Sequence, residues 1–315
     1  MTRRAWGAFA VASIVWGVPY LFIEIAVRHG VTPPALAWGR VTLGGAVLVA
    51  LAWRAGTLPS LRGRWLWTRA YAVAEICIPF PMLAFGESRV SSSLAAIMVA
   101  TVPLIGALLA MRFDHSERPT PVRAVGLLLG FCGVVALVGL DVAGHHGELL
   151  GIGAIMLTAT GYAIGPMIVK HRMAGLDPRA SQGGALAIAS LLLLPVALLD
   201  PPHHVPTAGA IWSVIALGLL CTAGGFVVYA ILIGEAGSSR ATVITYVNPV
   251  VAVALGVALL GERPGAGAVA GLLLILAGGW LSTDGRLPPG VSRGLASLGV
   301  PGAGRARPVR AREPS

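Results

Sequence analysis

The chain has 315 residues, of which 56% are hydrophobic and only 11% are charged, and its mean hydropathy is +0.81. A soluble domain carries about 25% charged residues, so this composition excludes an ordinary water-soluble fold. The formal net charge of +10 does not indicate a nucleic-acid partner, because the arginines lie in loops and in the C-terminal tail. Continuous apolar runs of roughly 20 residues predict membrane helices and argue against a β-barrel.

Ten apolar runs, named here spans 1 to 10, are long enough to cross a bilayer. They lie near residues 6–27, 34–53, 67–85, 91–111, 122–140, 149–169, 181–199, 209–233, 239–260 and 265–283. Span 1 follows Arg3 and Arg4 but continues to Val27 without a convincing cleavage site, so we interpret it as a span and not as a signal peptide. The sequence therefore predicts an all-α polytopic membrane protein with ten transmembrane helices.

Basic residues predict the orientation of these spans. If the N-terminus is cytoplasmic, the opposite side holds only Arg28, Arg89 and Arg263, and Arg40 is the one basic residue inside a span. All other basic residues then fall in cytoplasmic segments. Cytoplasmic loops of membrane proteins are enriched in lysine and arginine, so we expect both termini in the cytoplasm.

The region from Gly234 to Thr283 repeats the region from Gly86 to Gly139. The shared anchors are a serine pair, a proline and a Glu-Arg-Pro triplet: Ser92, Ser93, Pro103 and Glu117-Arg118-Pro119 in the first copy, and Ser238, Ser239, Pro249 and Glu262-Arg263-Pro264 in the second. Five spans per half is an odd number, so the two copies must face opposite ways. Such a 5+5 inverted repeat can exchange inward and outward openings about a central site.

These residues also carry a family resemblance. The chain resembles the EamA family of the drug/metabolite transporter superfamily through "SIVWGVPYLFIEIA" in span 1, Arg40 early in span 2, "SSLAAIMVATVPLIGALLA" in span 4 and "SSRATVITYVNPVVAVALGVALLGERP" across span 9. The resemblance covers roughly residues 5–283. It implies a multi-pass carrier in the bacterial cytoplasmic (plasma) membrane that moves small organic solutes such as amino acids or metabolites, often as an exporter.

We accordingly expect three regions in the chain. Residues 1–140 form the first EamA-like five-helix repeat, and residues 141–284 form the second, which is inverted. Residues 285–315 are rich in Gly, Pro, Ser and Arg. That composition predicts a disordered basic cytoplasmic tail whose arginines lie near anionic lipid.

Glu75 lies near the middle of span 3 and has no basic residue within helical reach in its own span. An ionisable group inside the membrane costs a few kcal/mol, roughly 3 on insertion scales, so its presence indicates a function. The functional interpretation is a proton-coupling site or a site for a substrate amine. The structural alternative is a protonated glutamate that is hydrogen-bonded to neighbouring backbone.

Glu24 and Arg40 lie near the outer ends of spans 1 and 2, at similar depth in adjacent antiparallel helices. A salt bridge between them is therefore plausible. It would serve either as a structural pair that fixes the packing of the two spans or as an outer gate, with Arg40 as a clamp for a carboxylate.

Four prolines are predicted to break their spans: Pro19, Pro79, Pro103 and Pro249. Such breaks free backbone carbonyls, which line a cavity in some membrane proteins and mark a simple kink in others. Polar and aromatic residues near them could line an amphipathic substrate pocket, although each could also face lipid or the core: Trp16, Tyr20, Tyr162, Tyr229, Tyr246 and Asn248.

Glycine pairs four residues apart recur in spans 5, 6 and 10: Gly126 and Gly130, Gly161 and Gly165, and Gly267 and Gly271. Small residues at this spacing let helices approach closely. They suit either packing within one chain or a homodimer face, and the sequence leaves both open.

The function predicted from these features is secondary transport of a small-molecule solute by alternating access, with protons as the candidate coupling ion and membrane lipids as the surroundings. The chain has no nucleotide-binding or catalytic motif, so we expect no enzyme activity and no cofactor. We also expect no metal site, because exposed histidine pairs such as His203-His204 are usually solvated. The alternative is a multispan protein without transport activity, either a scaffold or an intramembrane enzyme.

Overall fold

The computed structural model describes residues 2–113, 121–141, 146–237, 241 and 243–284. The predicted tail 285–315, the triplet Glu117-Arg118-Pro119 and the pair Ser238-Ser239 lie outside these residues. The described residues form helices and short connections, including a single 3₁₀ turn at Leu58–Leu61 between spans 2 and 3.

The spans of the first half begin and end as follows. Span 1 comprises Arg3–Gly17 and Pro19–Arg28, span 2 is Pro33–Arg54, span 3 comprises Trp65–Ala72, a π-helix at Val73–Cys77 and Pro79–Glu87, span 4 comprises Ser92–Val99 and Val102–Phe113, and span 5 is Pro121–Asp141.

The second half has the same order. Span 6 is His146–Arg172, span 7 is Pro178–Leu199, span 8 comprises Ala208–Ala216, a π-helix at Leu217–Gly224 and Gly225–Ala236, span 9 is Ile244–Leu260, and span 10 is Ala266–Asp284. Seven of the described spans are long and apolar enough to cross a membrane, and spans 5, 9 and 10 are shorter apolar helices. The prediction of an all-α protein with ten membrane helices is confirmed.

Spans 5 and 10 show how the two halves are related. A Cβ atom on Gly126 would meet the backbone of Ser282, whereas one on Gly133 would meet the carbonyl oxygen of Gly271 at 2.9 Å. Residue numbers therefore rise along span 5 as they fall along span 10, and the two helices run antiparallel. Because they are the fifth helices of their respective halves, equivalent helices point in opposite directions.

Spans 2 and 7, the second helices of the two halves, repeat this arrangement. The Thr42 and Ser190 hydroxyls are hydrogen-bonded at 2.7 Å, and a Cβ on Gly183 would meet the Leu48 backbone at 3.0 Å. These two spans are also antiparallel. The predicted inverted repeat is thus confirmed by two independent helix pairs.

Contacts between the halves follow the same symmetry. Span 3 packs on span 6, and its equivalent, span 8, packs on span 1. Span 4 packs on its own equivalent, span 9. Exchanging each span for its equivalent in the other half turns the contact of spans 3 and 6 into the contact of spans 8 and 1, and it leaves the contact of spans 4 and 9 unchanged. Both halves therefore contribute to the interior of the bundle.

Several helices begin at side-chain caps that the sequence supplies. The Ser91 hydroxyl accepts the Leu94 N–H at the start of span 4, and the Thr207 hydroxyl accepts the Ala210 N–H at the start of span 8. Thr2 and Asp177 cap spans 1 and 7 in the same way. These oxygens bond backbone donors that have no partner inside the first helical turn.

The four prolines behave in two ways. Helices restart at or next to Pro19, Pro79 and Pro103. Pro249 instead lies inside the continuous helix Ile244–Leu260, so the predicted break in span 9 is wrong. A proline removes one hydrogen bond of the helical ladder, and here the bonds on either side of that position are enough to continue the helix.

Candidate functional site

Arg40 is buried between the two halves of the chain, with 7% of its surface exposed. Its Nε donates a hydrogen bond to the Thr222 hydroxyl of span 8 at 2.9 Å. Its guanidinium also lies over the ring of Phe80 in span 3, 4.0 Å from the centroid. A buried cation needs such partners, because an isolated charge is costly in an apolar surrounding.

Both halves carry a π-helix in their third span, and Thr222 lies in the second of these. The hydroxyl of Thr222 donates to the carbonyl of Leu217 at 2.8 Å, and thus accepts from Arg40 while it bonds its own backbone. The indole N–H of Trp16 donates to the neighbouring Cys221 carbonyl at 3.2 Å. A π-helical turn leaves backbone carbonyls available to side chains, and such turns are frequent at functional sites.

Two tyrosines extend the polar region around Arg40. Tyr20 of span 1 is 7% exposed, and Tyr162 of span 6 faces the Phe80 ring with centroids 6.5 Å apart. Arg40 interacts electrostatically with both of these tyrosines. We name Arg40, Thr222, Phe80, Tyr20 and Tyr162 the Arg40 cluster. Spans 1, 2 and 3 of the first half and spans 6 and 8 of the second contribute to it.

Glu75 lies on the π-helix of span 3, next to this cluster. Its Oε2 atom is buried and has no hydrogen-bond partner among the described residues. A Cβ atom at Gly165 would collide with the Glu75 carboxylate, so the glycine of span 6 leaves the space that this side chain occupies. Glu75 is also an electrostatic neighbour of Tyr71 and Tyr162.

Glu24 does not form the salt bridge that was predicted with Arg40. Its Oε1 is paired with the Nε of Arg28 at 2.5 Å, and its Oε2 is buried without a hydrogen-bond partner in the described part of the chain. Arg28 lies four residues later on the same helix, where side chains meet readily. Arg40 instead contacts Thr222 and Phe80. Glu24 and Arg40 therefore each have a different partner.

Glu87, which the sequence analysis did not single out, is the most isolated carboxylate in the described residues. It is 2% exposed, and neither carboxylate oxygen has a hydrogen-bond partner there. The charged groups that act on it are Glu24, Glu262 and Arg40. A signal was visible in the sequence, because Gly86-Glu87 recurs as Gly234-Glu235 at the start of the second copy of the repeat.

Glu262 of the repeated Glu-Arg-Pro motif reaches across to the first half of the chain. Its Oε1 accepts from the backbone N–H and the hydroxyl of Ser92, at 2.8 and 2.9 Å. Its Oε2 accepts from the backbone N–H of Ser93 at 3.0 Å and also from the Ser93 hydroxyl. The loop between spans 9 and 10 is therefore fastened to the N-terminus of span 4, where a carboxylate is favoured by the helix dipole.

The remaining predicted pocket residues fall into two groups outside the Arg40 cluster. Trp16 packs on Tyr229, with ring centroids 4.7 Å apart. Nearby, the amide nitrogen of Asn248 is placed to donate to the carbonyls of Ser13 at 3.2 Å and Ile244 at 3.0 Å. Tyr246 instead packs on Trp280, 5.9 Å between centroids, toward span 10. Of the residues that could line one pocket, Tyr20 and Tyr162 thus belong to the Arg40 cluster, Trp16 adjoins it through the Cys221 carbonyl, and Tyr246 faces span 10 instead.

Comparisons with known proteins agree with this architecture. The model of the EamA-like transporter family matches twice, at residues 5–139 and 149–283. An uncharacterized inner membrane transporter of Escherichia coli K12, YedA, is 30% identical over 266 residues, which cover 81% of this chain and 83% of that protein. An uncharacterized transporter of Archaeoglobus fulgidus is 26% identical over 286 residues, or 87% of this chain and 97% of that protein.

A solved crystal structure has the same fold. It superposes with a TM-score of 0.64 at 22% sequence identity, and the match covers 89% of this chain and 97% of that one.

Proposed function

Because the chain belongs to the EamA-like transporter family, we propose that it is a secondary carrier of small organic solutes that works by alternating access. The protein is a multi-pass membrane transporter of the plasma membrane. The observation that carries the proposal is the Arg40–Thr222 hydrogen bond. It places a buried cation between two halves that run in opposite directions, where an inverted repeat holds its central site.

Four members of the Arg40 cluster would contact the solute, and Thr222 holds the Arg40 guanidinium in place. The guanidinium of Arg40 binds a carboxylate of the solute, since arginine matches a carboxylate with two parallel hydrogen bonds. Tyr20, Tyr162 and Phe80 provide an amphipathic wall. The two π-helices supply the places where spans 3 and 8 bend as one end of the bundle opens and the other closes.

Glu75 is the proposed coupling residue. Its buried, unpartnered carboxyl oxygen favours exchange of a proton with each transport cycle. We place both termini in the cytoplasm, with residues 1–140 and 141–284 as the two moving halves, and we propose export as the direction. The basic residues and the family resemblance support this assignment.

Counterflow in proteoliposomes tests the carrier proposal. Liposomes are loaded with a pool of unlabelled amino acids or of other metabolites. They are then diluted into buffer that contains trace amounts of the same solutes in labelled form, with and without a pH gradient. We expect saturable exchange of one pool by the wild-type protein and its loss in Arg40→Ala. If monodisperse wild-type protein exchanged no pool, the non-transport alternative would replace this proposal.

A further inference from the structure

One end of the bundle contains a cavity of about 910 Å³, which we name the acidic vestibule. It lies where spans 1 and 3 end and spans 4, 6 and 10 begin, which is the predicted outer end. Its charged lining residues are Glu24, Arg28, Glu87, Arg89, Glu148 and Arg263. No member of the Arg40 cluster lines the vestibule, although Arg40, Tyr20 and Tyr162 are electrostatic neighbours of Glu87.

The deepest charged groups of the acidic vestibule are carboxylates without donors. Glu87 and Glu24 are each 2% exposed. Both oxygens of Glu87 and one oxygen of Glu24 have no hydrogen-bond partner among the described residues. Leaving a buried acceptor unpaired is unfavourable by about 1–3 kcal/mol, and more for a charged group. Three carboxylate oxygens of the vestibule therefore lack the N–H or O–H donors that buried acceptors need.

Of the three arginines that line the vestibule, Arg263 is exposed, and Arg28 and Arg89 have other partners. Arg28 is bound to the other oxygen of Glu24, and 58% of its side chain is exposed. Arg89 lies over the Phe85 ring, 3.5 Å from the centroid, and donates to the Ser88 hydroxyl at 2.9 Å. Their cationic groups are engaged at the rim, so the inner surface keeps its acidic character.

We propose that Glu87 and Glu24 bind the ammonium group of a solute, so that the carrier accepts primary amines. This inference rests on the proposed transport function and specifies its substrate class. An ammonium group has three N–H donors and a single positive charge. The described structure offers three orphan carboxylate oxygens, two on Glu87 and one on Glu24. A neutral or anionic solute of the same size lacks the positive charge that complements these carboxylates, and it lacks the three donors that would pair with their oxygens.

Protons compete with the ammonium group for the same carboxylates. The titratable and charged groups around Glu87 are Tyr20, Glu24, Arg40, Tyr162 and Glu262, and the rim adds Arg28, Arg89, Glu148 and Arg263. Protonation of Glu87 removes the charge that attracts the ammonium group. Binding of an amine therefore weakens as the pH falls, and where Glu87 is protonated, the amine binds only as that carboxyl group releases its proton to the solution.

Isothermal titration of the purified full-length protein with n-butylammonium tests the inference, with 1-butanol and butyrate as matched neutral and anionic probes. We expect saturable binding of n-butylammonium, weaker at pH 5 than at pH 8, and no binding of 1-butanol. Any binding of butyrate belongs to Arg40 and should be the same in Glu87→Gln as in the wild type. In Glu87→Gln the affinity for n-butylammonium should fall by about tenfold or more, because a charge-assisted hydrogen bond is lost. Glu87→Asp, which keeps the charge, should bind more tightly than Glu87→Gln.

Glu235→Gln is the matched control. Glu235 begins the second copy of the repeat as Glu87 begins the first, but it is paired with Arg4 at 3.4 Å and with the Thr2 hydroxyl at 3.2 Å. The affinity of the Glu235→Gln variant for n-butylammonium should equal that of the wild-type protein. Equal affinity in Glu87→Gln, or no binding to monodisperse wild-type protein, would overturn the inference. Counterflow of another solute pool by the same preparation would then leave the carrier proposal standing.

Discussion

Glu262 caps the helix that begins at Ser92, although 170 residues separate them in the chain. One carboxylate receives two backbone and two hydroxyl hydrogens at that helix end. The loop of one half thereby holds the N-terminus of span 4 in the other half. This connection between the two halves should contribute to the stability of the folded protein.

Glu262→Ala should lower the stability of the protein by about 1–3 kcal/mol, because a charged cap is lost and four donors lose their acceptor. The midpoint of thermal denaturation in detergent measures the effect. Arg263→Ala is the matched control. Arg263 is exposed, and its removal should leave the midpoint unchanged. An equal midpoint for both variants would show that the cap contributes nothing.

Gly278→Ala should destabilise the pairing of spans 5 and 10. Its new Cβ would collide with the backbone of Gly126 and Gly130, and overpacking of a tight contact costs about 1–3 kcal/mol. Gly106→Ala is the opposite case, because nothing lies within 4 Å of the added atom and alanine favours a helix. We expect a lower denaturation midpoint for the first variant and an equal or higher one for the second.

Thr222→Val should impair transport while the protein still folds. The substitution keeps the shape but removes the acceptor for the Nε of Arg40. A hydrogen bond to a charged group contributes about 1.5–3 kcal/mol, so the counterflow rate should fall roughly 10- to 100-fold. Thr160→Val is the control, since its hydroxyl bonds only the Met156 carbonyl of its own helix among the contacts described. Equal rates for the two variants would contradict the role given to Thr222.

Glu75→Gln should abolish the uptake that a pH gradient drives, because glutamine cannot release a proton. The weaker binding of amines at low pH, which is assigned to Glu87, should remain in this variant. Counterflow and gradient-driven uptake are compared between pH 5 and pH 8. Gly165→Ala should also reduce gradient-driven uptake, because the added methyl group displaces the Glu75 carboxylate. Gly153→Ala lies on the same helix with open space around it, and it should leave gradient-driven uptake unchanged. Unchanged gradient-driven uptake in Glu75→Gln would remove Glu75 from the coupling mechanism.

The orientation of the chain in the membrane, with both termini in the cytoplasm, is tested by labelling single cysteines in intact cells. Cys77, Cys132 and Cys221 are first replaced by alanine. Arg263→Cys should then react with a membrane-impermeant maleimide added outside, whereas Arg62→Cys should react only after the cells are lysed. The reverse pattern would place both termini outside and move the acidic vestibule to the cytoplasmic end.

Features that depend on local sequence could be predicted without the structure. Apolar runs gave the spans, and the repeated serine pair and Glu-Arg-Pro motif indicated the inverted halves. Pro19, Pro79 and Pro103 lie where helices restart, because the ring of proline disrupts the turn that precedes it. Pro249 shows the limit of that rule, since one missing hydrogen bond did not end span 9.

Features that depend on partners far away in the chain could not be predicted. Depth alone indicated that Glu24 and Arg40 could meet, but it does not tell which face of each helix a side chain occupies. Arg28 proved nearer to Glu24, and Thr222 became the partner of Arg40. Glu87 was missed because its isolation is a property of the surrounding fold, and the amino acid itself is common at the end of a span.

The matching π-helices of spans 3 and 8 have an energetic consequence. The third helix of each half carries a π-helix, five residues long in the first half and eight in the second, and the halves point in opposite directions. If one π-helix straightens as the other tightens, the conformations open at the two ends contain similar contacts and differ little in free energy. The chain itself then gives little preference to either end, and the solute and proton gradients decide the direction of net flux.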